Sequence, residues 1–240
     1  MYKRVLLKIS GEQLGGDEPT GVDIAIAHYI AEECKKVTQA GCQLVLIVGG
    51  GNMVRGAVLG AGESGIKRVT ADQMGMLSGL MNGMALTDIF ESKGIKTRCM
   101  SNIYATQLVE SYSFRLAEKH LEGGRIVIIA GGLGRPFFTH DTAAVNMGLE
   151  LGCELVMKAT KVDGIYDKDP AKFPDATKID HLTYQEAVGN EHIKVMDKAA
   201  FGLAMEQNIP VLVFDALQEG NILRAIQGEQ VGTIVSSAAN

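Results

Sequence analysis

No apolar run in the sequence approaches the ~18 residues that a membrane-spanning helix requires. The amino-terminal MYKRVLLKIS breaks at Lys8, too soon for a signal peptide, so a cytoplasmic protein is expected. Cysteine is scarce: four residues, at 34, 42, 99 and 153, form no C-x-x-C pair, which argues against a zinc site or a disulfide framework and for buried, reduced thiols. Only five prolines occur, and 46% hydrophobic with 21% charged residues excludes global disorder. There is no surplus of positive charge either. Lys and Arg number 23 against 28 Asp and Glu, a formal net charge of −5, so neither nucleic acid nor an anionic membrane is expected as the main partner. Also missing are the phosphate-loop signature G-x-x-x-x-G-K-[ST], the metalloprotease H-E-x-x-H and the hydrolase elbow G-x-S-x-G.

Glycine is plentiful: 29 of 240 residues, well above the ~7% of average proteins. Short apolar runs at 5–9, 44–48, 126–130, 155–157 and 211–214 suit strands covered on both faces of a parallel sheet. Between them lie helical patterns. Ile26, Tyr29, Ile30, Cys34 and Val37 share a stripe closed by Gly41; 72–93, 113–122 and 142–151 each run to a glycine; Thr183 with Glu186 has capping-box spacing; 197–207 stops at Asn208. Alternating strands and helices predict an α/β protein, a three-layer α/β/α sandwich on a mainly parallel sheet. No repeat or linker interrupts it. The chain reads as one domain over 1–240, with a polar seam near 159–174 where two lobes could divide.

Three glycine turns end strands: Ser10-Gly11, Gly49-Gly50-Gly51-Asn52 and Gly131-Gly132-Leu133-Gly134. At the carboxyl ends of parallel strands, glycines let backbone N–H groups approach phosphate oxygens. Lys8 sits inside an apolar strand, where an ammonium must snorkel out as an edge lysine or meet an anion. Asp141 stands at a helix start and reads either as an N-cap or as a carboxylate organising charge around a transferring phosphoryl group. Asp72, ahead of a methionine-rich helix, is ambiguous in the same way. Met74, Met76, Met81 and Met84 on that helix suit a core or a subunit interface. Asp163, Asp167 and Asp169 fit a solvated turn or a ribose contact. The G-x-G-x-x-G match at Gly60, Gly62 and Gly65 lacks the strand and helix of a dinucleotide fingerprint and reads as a loop.

Taken together, Lys8-Ile9-Ser10-Gly11-Glu12, Gly49-Gly50-Gly51-Asn52-x-x-Arg55-Gly56 and Asp72-x-Met74-Gly75-Met76-Leu77 resemble the bacterial uridylate kinase family of the amino acid kinase superfamily. Pro136-Phe137-Phe138-Thr139-x-Asp141-Thr142, Lys158-Ala159-Thr160-Lys161-Val162-Asp163-Gly164, Asp169-Pro170-Ala171-Lys172 and Lys194-Val195-Met196-Asp197 continue the likeness over nearly the whole chain. The resemblance implies transfer of a phosphoryl group from MgATP to UMP, giving ADP and UDP, in pyrimidine nucleotide synthesis. It implies an acceptor lobe before the seam and an ATP lobe after it, with catalytic roles for Lys8, Arg55 and Asp141. Lys8, Ile9, Ser10, Gly11, Gly51 and Arg55 would hold the ATP phosphates, and Thr160, Tyr166 and Asp169 the adenosine. Gly50, Asp72, Leu133, Gly134, Arg135, Pro136, Phe137, Phe138, Thr139 and His140 would hold UMP. Mg2+ is expected through the nucleotide phosphates rather than a protein cage. A homohexamer activated by GTP and inhibited by UTP is implied as well. The family commonly reads G-T-G-N-P-F-F-T-T-D where this chain carries Leu133, Arg135 and His140. The competing functions are another amino acid kinase, acting on a carboxylate or carbamate, and a nucleotide sensor without catalysis.

Overall fold

A computed structural model describes residues 1–17, 20–54, 65–170, 172–190, 193 and 195–237. In chain order the elements are β1 (Arg4–Ile9), α1 (Gly11–Leu14), α2 (Ile24–Gln39), β2 (Gln43–Val48), α3 (Arg68–Ser92), β3 (Thr97–Ser101), β4 (Glu110–Ser111), α4 (Phe114–Glu122), β5 (Ile126–Ala130) and α5 (His140–Glu150). There follow β6 (Leu155–Thr160), β7 (Ile165–Tyr166), β8 (Lys178–Ile179), β9 (His181–Thr183), α6 (Tyr184–Gly189), α7 (Lys198–Gln207), β10 (Val211–Asp215), α8 (Asn221–Ile226) and β11 (Gly232–Ser236). Nine strands form one sheet in the order β4-β3-β5-β2-β1-β6-β10-β11-β9. Every pairing in it is parallel except β10 with β11.

The period-2 alternation of side chains sorts this sheet into two faces. Val5, Leu7 and Ile9 of β1 pack with α2, α3 and α8 in one core; Leu6, between them in sequence, packs with α4, α5, α6 and α7 in the other. This is the expected α/β/α sandwich. The sheet crosses the polar seam without a break: β6 lies between β1 and β10, and the stretch after it folds into the small antiparallel pair β7–β8. All four cysteines are free and buried. No helix among the described residues is long and apolar enough to cross a membrane.

All five expected apolar strands are present, with β6 running on to Thr160 rather than ending at Met157. The Thr183 capping box is also found, and the 197–207 pattern becomes α7 with Asp197 as its N-cap. Two helix starts differ from expectation, and both change the reading of an aspartate. α3 begins at Arg68, with Lys67 at the N-cap position and no capping side chain, so Asp72 lies in the second turn and caps nothing. α5 begins at His140 with Thr139 as N-cap, its Oγ1 accepting from the Asp141 backbone N–H, so Asp141 is a first-turn residue with a free side chain to place. Of the four methionines on α3, Met76 is buried and Met81 is 55% exposed beside the exposed Leu77.

Candidate active site

Lys8 follows from the strand alternation. It shares its face with Leu6, and that face is covered by α5. β6 is the parallel neighbour of β1, and its register sets Lys158 directly beside Lys8. Two buried lysines, each about one-tenth exposed, therefore arrive at the first turn of α5, where Asp141 receives both. Lys8 Nζ lies 3.0 Å from Asp141 Oδ1, and Lys158 Nζ donates to Asp141 Oδ2 at 2.5 Å. Lys158 also donates to the Val195 carbonyl. Burial alone would raise the Asp141 carboxyl pKa; the two ammonium groups outweigh it and hold the group below the usual carboxylate value, so it is ionised at neutral pH. Burial pulls Lys158 down from the usual lysine value while Asp141 pulls it back.

Above this ion triad lies a cavity of about 200 Å³ lined by Lys8, Ser10, Gly11, Glu12, Gly49, Gly50, Gly51, Thr139, His140 and Asp141. The glycines are there because chain segments touch. A Cβ on Gly11 would stand 2.5 Å from the Gly51 nitrogen, so the turns after β1 and β2 could not meet over larger residues. Ser10 caps α1, its Oγ accepting from Gln13 N at 3.1 Å. Thr139 and Thr142 both donate to Asp197, which also caps α7. Two links of the 194–197 motif thus hold the cavity wall: Val195 fixes Lys158, and Asp197 fixes Thr139. His140 packs against Gly79 and Gly132 with its Nε2 lacking a hydrogen-bond partner among the described residues. Burial, and secondarily the charge on Lys8, pull its pKa down to about 4 against the opposing pull of Asp141, so the imidazole is neutral at pH 7.

Of the residues singled out in the sequence, Lys8, Ser10, Gly11, Gly50, Gly51, Thr139, His140 and Asp141 come together here. Ile9 points into the core, and its carbonyl accepts from Gly49 N at 3.0 Å. Arg55 and the stretch 60–64 lie outside the described residues. Leu133, Gly134, Arg135, Pro136, Phe137 and Phe138 form the turn between β5 and α5. Leu133 packs on the core, while Phe137 and Phe138 are exposed. Asp72 reaches that turn from α3. Its Oδ2 accepts from Phe137 N at 2.9 Å and its Oδ1 from Arg68 Nε at 2.7 Å, and the Arg68 guanidinium lies 6.0 Å from the Phe137 ring centroid. Phe137 holds φ at +69°, a left-handed conformation that costs a non-glycine residue free energy and needs such contacts to persist. Thr160 ends β6, Tyr166 donates its hydroxyl to Asp163, and Asp169 pairs with Lys172 at 3.3 Å. Beside Thr160, which is registered with Asp215, a second cavity of about 270 Å³ is lined by Gln13, Asp17, Lys161 and Asp215 among others.

Lys158 and Asp197 carry structural weight that the residue-level reading did not give them. The signal for Lys158 was present: it interrupts an apolar strand as Lys8 does. Chemically, among the described residues, the arrangement offers two cations, a set of closely packed glycine turns and no residue pair set up as nucleophile and base. It suits a polyanion.

The comparisons with known proteins agree with this geometry. Residues 3–215 match the amino acid kinase family model. The chain belongs to the amino acid kinase family. Among solved structures, the UMP kinase from Bacillus anthracis superposes with a TM-score of 0.94 at 34% identity, over 99% of this chain and 97% of that one. The UMP kinase from Ureaplasma parvum gives 0.90 at 31% identity over 99% of this chain and 100% of that one. The uridylate kinase from Archaeoglobus fulgidus gives 0.73 at 25% identity over 97% and 99%. The nine-stranded, mostly parallel sheet is therefore the fold of a kinase, and the chain groups with the UMP kinases within its family.

Proposed function

We propose that this enzyme transfers the γ-phosphoryl group of MgATP to UMP, giving UDP and ADP for pyrimidine nucleotide synthesis in the cytoplasm. The observation that carries the reading is the Lys8–Asp141–Lys158 triad beneath the glycine-lined cavity. A phosphate acceptor has a second pKa of ~6 and is already a nucleophilic dianion at neutral pH. The barrier to be lowered is the approach of two polyanions, and the remedy is fixed positive charge and backbone donors. Lys8 and Lys158 supply the charge; Asp141 lines the cavity and holds both ammonium groups against it, Lys8 at the cavity wall and Lys158 as its other partner. Glycine turns at Gly11 and at Gly50-Gly51 supply N–H groups.

The donor phosphates would rest on Lys8, Ser10, Gly11, Gly51 and Arg55. The nucleoside would extend across the carboxyl ends of the strands towards Thr160, Tyr166 and Asp169, past the second cavity, in the half of the chain after the seam. UMP would occupy Gly50, Asp72 and the turn 133–140, in the half before it. A magnesium ion would be held through the nucleotide's own phosphates. Bound there, Mg2+ would neutralise charge on the donor phosphates. We further propose a homohexamer regulated by GTP and UTP; the exposed Leu77 and Met81 on α3 support self-association. A coupled assay of ADP formation with UMP, CMP, dUMP, glutamate and carbamate tests the assignment. UMP should be turned over far faster than the rest. Preference for a carboxylate or carbamate, or no turnover of any acceptor, would overturn it.

A further inference from the structure

We infer that Asn82, on α3 and outside every motif of the site, is a positioning residue that sets the phosphate-binding glycine turn through a reciprocal amide pair with Asn52. The inference rests on the reading that the turn at Gly49, Gly50 and Gly51 holds phosphate. Asn82 is fully buried, and its Nδ2 donates to the Gly49 carbonyl at 2.7 Å. Asn82 Nδ2 also donates to Asn52 Oδ1 at 2.7 Å, and Asn52 Nδ2 returns a bond to Asn82 Oδ1 at 3.0 Å. Asn52 carries the link outward. It donates to the Gly21 carbonyl at 2.5 Å ahead of α2, and its side chain lies where a Cβ on Gly11 would fall, 2.6 Å from Oδ1. Two amides thus tie the turns after β1 and β2 and the entry to α2 to one buried point on α3.

The helix face around that point is shaped to receive the turn. A Cβ on Gly50 would stand 2.4 Å from the Gly75 carbonyl oxygen and 2.6 Å from the Gly79 nitrogen, so Gly50 lies directly on the α3 backbone. Glycines inside a helix cost ~1 kcal/mol each relative to alanine. At Gly79 that cost has a purpose, because a Cβ there would stand 3.2 Å from both the Val48 carbonyl oxygen and His140 Nε2. Only a primary amide serves at position 82, because it must donate to a carbonyl and also exchange bonds with another amide. An aspartate there could accept from Asn52 but would turn a carboxylate towards the Gly49 carbonyl. The backbone donors of the turn act on the phosphoryl group only if held within a fraction of an ångström, and a 1 Å misplacement can cost ~100-fold in rate.

The test compares wild type, Asn82→Ala, Asn52→Ala and the double variant at 25 °C, well below melting, by melting temperature, by ATP affinity in titration calorimetry without acceptor, and by steady-state kcat/KM. Each single change should lower kcat/KM for ATP by ~10- to 100-fold, and the double variant should lose less than the product of the two, because both break one unit. ATP affinity should fall in the same order. Lower melting temperature with ATP affinity and kcat/KM within twofold of wild type would reduce the pair to a structural role and overturn the inference. Fully multiplicative losses would also overturn it. Should Asn82→Ala fail to fold, Asn52→Ala, at a half-buried position, gives the same decision. If wild type binds ATP but does not phosphorylate UMP, the functional reading fails while calorimetry still decides the role of Asn82.

Discussion

Replacing Asp141 by asparagine removes one negative charge from between two buried ammonium groups and changes almost nothing in shape. In the native arrangement the carboxylate lies 3.0 Å from Lys8 Nζ and 2.5 Å from Lys158 Nζ, and each side chain of the triad is only about one-tenth exposed. Removing one partner of a buried ion pair costs ~3–5 kcal/mol, because the other charge is left uncompensated. Here two are left. Asparagine retains one acceptor oxygen, so a loss near ~3 kcal/mol is expected. For a chain of this length that corresponds to a fall in Tm of ~6–12 °C, at roughly 2–4 °C per kcal/mol.

The kinetic cost should be larger than the stability cost. Without the carboxylate the two ammonium groups repel, and one turns away from the cavity. Loss of a preorganised charge at a transition state costs ~100- to 1000-fold in kcat. Asp141→Asn should therefore melt early and turn over at least ~100-fold more slowly, measured by differential scanning calorimetry and ADP release. The folded-state pKa of Asp141 lies below its ordinary value, so its stabilisation is fully present above about pH 4 and is lost as pH falls through the folded value. The gap in Tm between wild type and variant should hold from pH 7 to pH 5 and shrink only in stronger acid. A variant melting within 2 °C of wild type with kcat within threefold would remove Asp141 from the centre of the site.

Lys8→Met keeps the aliphatic stem in the strand and leaves Asp141 paired to Lys158, so the fold should persist while kcat drops ~100-fold or more; near wild-type turnover would refute the role of Lys8. Asp72→Asn keeps an acceptor for Phe137 N and loses only a partly exposed pairing with Arg68, worth under ~1 kcal/mol. Its Tm should move little, while kcat/KM for UMP falls ~10- to 150-fold with KM for ATP unchanged; unchanged UMP kinetics would leave Asp72 the single task of holding the 133–139 turn. Burial lowers the His140 pKa to about 4 in the fold, below its unfolded value, so the unfolded chain binds the extra proton and stability falls as pH drops from 6.5 towards 4, by up to ~1.4 kcal/mol per unit. His140→Thr should flatten the fall of Tm between pH 6.5 and 5, and an unchanged slope would assign it to other groups.

The strands that could be read from the sequence are those dominated by a run of apolar residues. β1, β2, β5 and β10 are buried on both faces, and continuous Val, Ile and Leu runs leave no other reading. β3 was not legible although it lies inside the sheet, because Thr97, Arg98 and Ser101 interrupt the pattern and Thr97 hides its hydroxyl by bonding to the Ile95 carbonyl. The start of α3 was missed for a similar local reason: Lys67 supplies no capping side chain, so nothing marks the four residues before Asp72. At the site, reading β6 as ending at Met157 left Lys158 outside the strand. Outside a strand, a lysine lacks the apolar surroundings that make Lys8 conspicuous.

What no single-sequence pattern could supply was the identity of the anion that Lys8 must meet. A lysine within an apolar strand demands a negative partner, and local spacing offers Ser10-Gly11 and an expected phosphate. The fold answers with Asp141, 133 positions further on, because β1 alternates its side chains so that residue 8 faces α5. It adds Lys158 because β6 pairs with β1 in a register that aligns 8 with 158. The phosphate and the aspartate are not rivals. With one carboxylate shared between two lysines, the triad itself keeps a net positive charge beneath the cavity. A buried cluster that satisfies its own members and still attracts an anion is what phosphoryl transfer between two nucleotides requires.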